Sequence, residues 1–123
     1  MHAMRSTRFL AVVLLAVSLI ACNASRGALV FSPDRLQDGA VGQPYDAIIQ
    51  VTNNDTPVGD IYVSSGALPP GVTLNFARGS STAADLSGTP TTAGTYVFTV
   101  SAWCLGTNVE GQSGEQSYSL VVS

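Results

Sequence analysis

From residue 28 onward, apolar and polar residues alternate with a period of two. Between Tyr45 and Thr52, the residues Tyr45, Ala47, Ile49 and Val51 fall on one side. In the longest run, Tyr96 to Cys104, the same side collects Tyr96, Phe98, Val100, Ala102 and Cys104. In the last, Gln116 to Val122, it collects Tyr118, Leu120 and Val122. Alternation of this kind marks strands that bury one face. Shorter runs at Leu29–Phe31, Ile61–Val63, Val72–Phe76 and Ala84–Leu86 bring the total to about seven strands. No window after Ala28 carries a helical period with caps. All 12 glycines and all 6 prolines lie beyond residue 26, where they punctuate the runs as turns. Short alternating strands at this spacing predict an all-β, antiparallel sandwich.

The first 22 residues follow another rule. Arg5 and Arg8 precede an uncharged apolar stretch, Phe9 to Ala21, of 13 residues. A spanning helix needs about 20 residues, so this length suits a secretory signal. The stretch ends Leu19-Ile20-Ala21-Cys22, which resembles the bacterial lipobox. That resemblance implies cleavage before Cys22 and acylation of its thiol and new amine. A single acyl chain anchors only marginally, at about 0.8 kcal/mol per buried methylene, so stable anchoring takes several. The alternatives are a plain secretory signal, which the branched Leu19 disfavours, or an uncleaved anchor. Met4 would serve equally as a start, since both arginines follow it. The expected organisation is a signal peptide at 1–21, a lipidated Cys22 with a short tether at 22–27, and a domain at 28–123. Asn23, rather than Asp, after the cysteine implies outer-membrane sorting by the enteric rule for lipoproteins. The tether, under about 20 Å at full extension, would hold the domain close to the membrane.

Removing residues 1–21 changes the charge. Three arginines, Arg26, Arg35 and Arg78, then face eight carboxylates, a net charge of −5 with no Lys and no His. Ser-His-Asp and Cys-His catalysis, His-ligated zinc and Schiff-base chemistry are thereby excluded within residues 22–123. Three scattered arginines on an acidic domain give no footprint for nucleic acid. No two carboxylates are placed by sequence for general acid–base work, so a non-enzyme is expected.

Three motifs carry a family resemblance. Asp38-Gly39-Ala40-Val41-Gly42-Gln43-Pro44-Tyr45, then Val63 to Leu74 with its Leu68-Pro69-Pro70-Gly71 corner, then Leu86-Ser87-Gly88-Thr89-Pro90 through Tyr96 follow in order. Together they resemble bacterial Ig domains of the cadherin-like, dystroglycan-type group. The resemblance implies an Ig-like sandwich and a module appended to many kinds of protein, so it speaks for fold and not for a particular function. Within it, Tyr96 matches the tyrosine corner, Phe98 stands where an Ig domain has its second core cysteine, and Ile61 stands where it has its core tryptophan. Asn75 to Leu86 is longer than the family pattern and predicts a loop or an extra edge hairpin.

Few residues carry candidate chemistry. Cys104 points inward by parity and is expected to be an inert core thiol. A Cys22–Cys104 disulfide fits only plain secretion. Trp103 points outward and either contacts a partner or sugar ring, or covers a strand end or packs under the Leu105–Gln116 loop. Asn54, Asp55 and Asp60 faintly resemble a cadherin calcium linker, although calcium takes six to eight oxygens and this acid pattern is incomplete. The turn-forming role of Asx residues is the competing expectation. The expected function is a membrane-anchored, non-catalytic envelope lipoprotein for adhesion, scaffolding or recognition of a protein or glycan. The alternatives are a calcium-binding cadherin-like module and an accessory or inhibitor protein that docks by an edge strand.

Overall fold

A computed structural model describes residues 27–79, 81–106 and 111–123. Seven strands form: β1 (Val30–Ser32), β2 (Tyr45–Thr52), β3 (Val58–Gly66), β4 (Val72–Phe76), β5 (Ala83–Gly88), β6 (Gly94–Cys104) and β7 (Ser113–Val122). They make two antiparallel sheets, one ordered β1-β2-β5-β4 and the other β3-β6-β7. The expected sandwich is the one observed.

The alternation read from the sequence is the burial pattern of the strands. Ile49, Val51, Leu86, Phe98, Val100 and Leu120 are fully buried between the sheets. Ile61 occupies the centre of β3 in the position expected for it, and Cys104 closes the buried row of β6. Phe98 and Tyr118 lie with ring centroids 5.9 Å apart in a tilted pair, within the range where aromatic pairs attract beyond their buried area. The Tyr96 hydroxyl donates to the Thr92 carbonyl at 2.9 Å, completing the tyrosine corner.

Five strands have bounds other than expected; β5 and β6 gain residues over Ala84–Leu86 and Tyr96–Cys104, running Ala83–Gly88 and Gly94–Cys104. The first strand runs Val30–Ser32, one residue later than expected, and Pro33 follows it directly. β3 extends three residues beyond Ile61–Val63 at each end. Its register shifts at Val58/Asp60 and Val63/Ser65 break the period of two, which hid the strand ends. β7 begins at Ser113, where Ser113-Gly114-Glu115 gives no apolar signal. β5 pairs directly with β4 and β2, and residues 77–79 and 81–82 between β4 and β5 take no strand.

One crossing was not foreseen. After β1 the chain leaves the four-stranded sheet and reaches the edge of β7, where Gly39 bridges Val122 in parallel. Gly39 N donates to Val121 O, Val41 N to Ser123 O and Ser123 N to Gly39 O. This short stretch pairs part of an edge that would otherwise present free backbone groups. Two tyrosines hold the crossing segment: Tyr118 donates to Pro33 O at 2.9 Å and Tyr45 to Gln37 O at 2.8 Å.

Candidate functional site

The strand directions sort the connections into two poles. β2 begins, β3 ends and β6 begins at one pole; the 53–57 turn, the ends of β4 and β6 and the starts of β5 and β7 gather at the other, together with Gly27. All three family motifs meet at the first pole. Val72 N donates to Pro69 O, Thr91 N to Pro70 O and Gly42 N to Pro90 O, at 2.9–3.0 Å. Gly71 and Gly88 have φ of +92° and +138°. A side chain on Gly88 would strike the Gly71 carbonyl, and one on Gly71 would strike that of Thr89. These glycines serve close backbone packing, which is a structural role.

The second pole is tied by side chains. Gln112 donates from Nε2 to Gly27 O at 2.9 Å and Asn53 O at 3.1 Å, and its Oε1 accepts from Asp55 N at 2.7 Å. Asn53, at φ +66°, donates to Ala28 O. Thr56 Oγ1 donates to Leu105 O, and Leu105 N to Pro57 O. The sequence singled out none of Gln112, Thr56 or Asn53 as a tie, because their partners are remote in the chain.

The candidate calcium residues have other engagements. Asn54 Nδ2 donates to Thr56 O, two residues on, at 2.9 Å. Asp60 accepts from Ile61 N through Oδ1 and from Arg78 Nη2 through Oδ2 at 3.0 Å. Asp55 is held by its backbone amide, not its carboxylate. Among the described residues, no three His, Cys, Asp or Glu side chains gather. Cys104 is a free, buried thiol. Burial, and then the Asp55 carboxylate, push its pKa up, which keeps it protonated and unreactive. Cys22 lies outside the described residues.

Trp103 lies on the outward face of the three-stranded sheet, opposite Asp60 of β3 and Ser113 of β7. Its indole rests on Gly59. A Cβ built on Gly59 would overlap Cζ3 and lie equidistant, at 2.5 Å, from the two flanking ring atoms Cε3 and Cη2. Approach past the ring edge would leave both flanking atoms much farther away than Cζ3. The glycine therefore lies beneath one face of the indole, and 39% of the residue stays exposed. Trp103 thus covers the start of β3, one of the two sequence expectations for it, while part of its surface stays open.

The neighbouring row of the same face is Tyr62, Ser101 and Glu115. Ser101 is small and nearly buried, its hydroxyl donating to Ser64 Oγ at 2.6 Å. Between the flanking Tyr62, Trp103, Ser113 and Glu115, an open depression of about 260 Å³ lies over Ser101. A second depression, about 410 Å³, opens between the β3 and β4 edges and is lined by Val63, Leu68, Leu74 and Phe76 among others.

Comparison with known proteins fits this architecture. A family model described as "Putative Ig domain" matches residues 28–123. The chain belongs to that family. Two solved endo-fucoidan hydrolases of glycoside hydrolase family 107 contain a region of similar fold. One superposes with a TM-score of 0.57 at 23% identity, over 80% of this chain and 14% of the hydrolase. The other gives 0.53 at 22% identity, over 80% and 17%. The Ig domain thus spans under a fifth of either hydrolase, and the likeness is one of fold. A titin domain superposes with a TM-score of 0.47 at 21% identity, over 77% of this chain and 96% of the titin domain. No curated protein sequence matches significantly. An Ig domain of this kind serves binding or scaffolding, and the fold is ordinarily non-catalytic.

Proposed function

We propose that this protein is a lipid-anchored, non-catalytic recognition module of the bacterial cell envelope, acylated at Cys22 and sorted to the outer membrane. The observation that carries the reading is the Leu19-Ile20-Ala21-Cys22 run ending six residues before the Ig domain begins at residue 28. The tether supplies a consistent geometry. Gly27 enters at the pole of the 53–57 turn and is held there by Gln112. With so short a tether, that pole faces the membrane. The Pro-Gly pole points away, and the outward face of β3-β6-β7 stands to the side, open to a ligand. Acyl chains are the membrane contact, and an envelope protein or glycan is the recognised partner.

Metabolic labelling with a fatty acid tests the anchor. The wild type carries label and partitions into detergent; Cys22→Ala loses both. An unlabelled wild type overturns the anchoring. Binding of the Cys22→Ala chain to isolated envelopes tests recognition separately from lipid insertion, and failure to bind overturns the recognition role.

A further inference from the structure

The depression beside Trp103 has a composition that selects among ligand classes. Gly59 supports one face of the indole, which fixes the plane of the ring and leaves its other side for contact. Tyr62, 42% exposed, stands across the depression, so two aromatic surfaces flank it. Ser101 and Ser113 supply hydroxyls, and Glu115 an exposed carboxylate. Arg78–Asp60 is the ion pair formed among the described residues, so Glu115 brings an unneutralised acceptor to the rim. Beyond it, the face continues in Thr99, Ser117 and Ser119.

Each alternative ligand class meets an obstacle. A protein interface core is depleted in Ser and Glu, and hot spots in Ser and Thr, whereas these residues dominate this face. An acidic polymer would approach Glu115 on a chain whose residues 22–123 carry a net charge of −5, and Arg78, which reaches the Trp103 row, is already paired there with Asp60. A drug-sized apolar ligand needs an enclosed cleft of roughly 300 Å³ or more, and this depression is smaller and open. A neutral sugar ring meets none of these difficulties. Its C–H face matches an aromatic platform, and its hydroxyls donate to a carboxylate and exchange hydrogen bonds with serines.

We infer that the Trp103, Tyr62, Ser101, Ser113 and Glu115 depression is a binding site for one ring of a neutral polysaccharide. The inference rests on the recognition role proposed above and assigns its ligand class. Trp103 stacks on the ring, Glu115 accepts from its hydroxyls, and Tyr62 bounds the opposite side.

Trp103 is the sole tryptophan of the chain, so emission from the full chain in mild detergent reports on this site alone. The probes are cellohexaose, xylohexaose, mannohexaose and N-acetylchitohexaose, with polygalacturonate as the acidic counterpart. At least one neutral oligosaccharide shifts the emission saturably in the millimolar range, and polygalacturonate does not. Glu115→Gln and Tyr62→Ala, each melting like the wild type, weaken that binding about tenfold, the scale of a lost charge-assisted hydrogen bond or stacking contact. Val97→Thr, farther along the same face, leaves it unchanged. The inference is overturned if no neutral oligosaccharide moves the emission, if polygalacturonate binds equally well, or if both site variants bind like the wild type. Envelope binding by the Cys22→Ala chain separates the two levels. If that binding is destroyed by protease treatment of the envelopes while no saccharide binds, the recognition role stands and the sugar site falls. If neither saccharides nor envelopes are bound, both fall.

Discussion

At the pole where β2 begins, proline rings and glycine backbones fill the space and bond to one another over short reach. At the opposite pole, loops and the entering chain are joined by the amide side chains of Gln112 and Asn53. Pro69 and Pro90 are fully buried at the first pole, while the ties of the second are largely exposed. The difference shows how a small sandwich divides its labour. One end is determined by backbone conformations that only particular residues adopt, so few substitutions fit there. The other is determined by replaceable hydrogen bonds, so its loops can change without unfolding the core. The depression at Trp103 lies on the loop-side half of the sheet face, on paired strands beside the loop pole.

The sharpest way to break this contrast is Gly88→Ala. The residue sits at φ +138° and a Cβ would collide with the Gly71 carbonyl. Backbone strain of about 1–3 kcal/mol adds to overpacking of similar size, so a loss of about 2–5 kcal/mol is expected. That is comparable to the about 3–5 kcal/mol expected for Phe98→Ala in the core between the poles. Denaturant midpoints compare the two directly. A loss under about 1 kcal/mol for Gly88→Ala would mean the Pro-Gly pole yields as readily as the loops.

Alkaline pH tests the tyrosines that hold the crossing segment between the two sheets. Burial, and then the Asp34 carboxylate, push Tyr118 up to about 12. Burial, and then Asp38, push Tyr45 up from its ordinary value. A folded-state pKa raised above the unfolded value near 10 contributes stability that is complete below pH 10. Above pH 10 the unfolded chain releases these protons while the folded one retains them, so stability falls as pH rises toward 12. Denaturant midpoints should therefore drop across that window. Tyr118→Phe, which removes the titrating hydroxyl, should flatten the drop while lowering stability at neutral pH through its lost bond to Pro33.

Gln112→Ala is the counterpart at the loop pole. It removes three hydrogen bonds, to Gly27, Asn53 and Asp55, all at exposed positions where water replaces them. The expected loss is about 1 kcal/mol or less, well below that of Gly88→Ala. Hydrogen exchange should rise at Asp55 while β6 stays protected. A loss matching Gly88→Ala would erase the distinction between the poles.

The same division governs how much could be read from the sequence. Pro69-Pro70-Gly71 and Gly88-Thr89-Pro90 announce their geometry because the required φ values are local properties of those residues. The strand faces were legible for β2, β6 and the end of β7, since burial on one side imposes alternation. β3 was legible only at its centre, because bulges at both ends disrupt the period. The Gly39–Val41 pairing is made mainly by backbone groups, with one bond from Ser123 Oγ to Gly39 O, and a backbone pairing has no pattern in the sequence. Gln112 reaches a carbonyl 85 residues away, a contact no local pattern encodes. For Trp103, parity indicated the outward face. The seat on Gly59 depends on the cross-strand register at a bulge; the one hint was a glycine inside Val58-Gly59-Asp60, before a strand that ends in an exposed tryptophan.

Calcium gives the smallest expected effect and tests whether the loop pole is more than a set of ties. Residues 22–123 carry a net charge of −5 that attracts any cation weakly, so a small stabilisation by salt carries no information. A specific site stabilises by about 2.7 kcal/mol at a hundredfold excess of ligand over Kd. In a domain of this size that raises Tm by more than about ten degrees. Both oxygens of Asp60 are already engaged, by Ile61 N and by Arg78, so recruiting it to an ion would first break those bonds. Millimolar calcium and magnesium at equal ionic strength should therefore shift Tm alike, and by only a degree or two. Asp60→Asn should cost under about 1 kcal/mol, the usual scale of an exposed ion pair. A calcium-selective rise above ten degrees, abolished by Asp55→Asn or Asp60→Asn, would reverse the comparison, making the loop pole the rigid, ligand-fixed end of the domain.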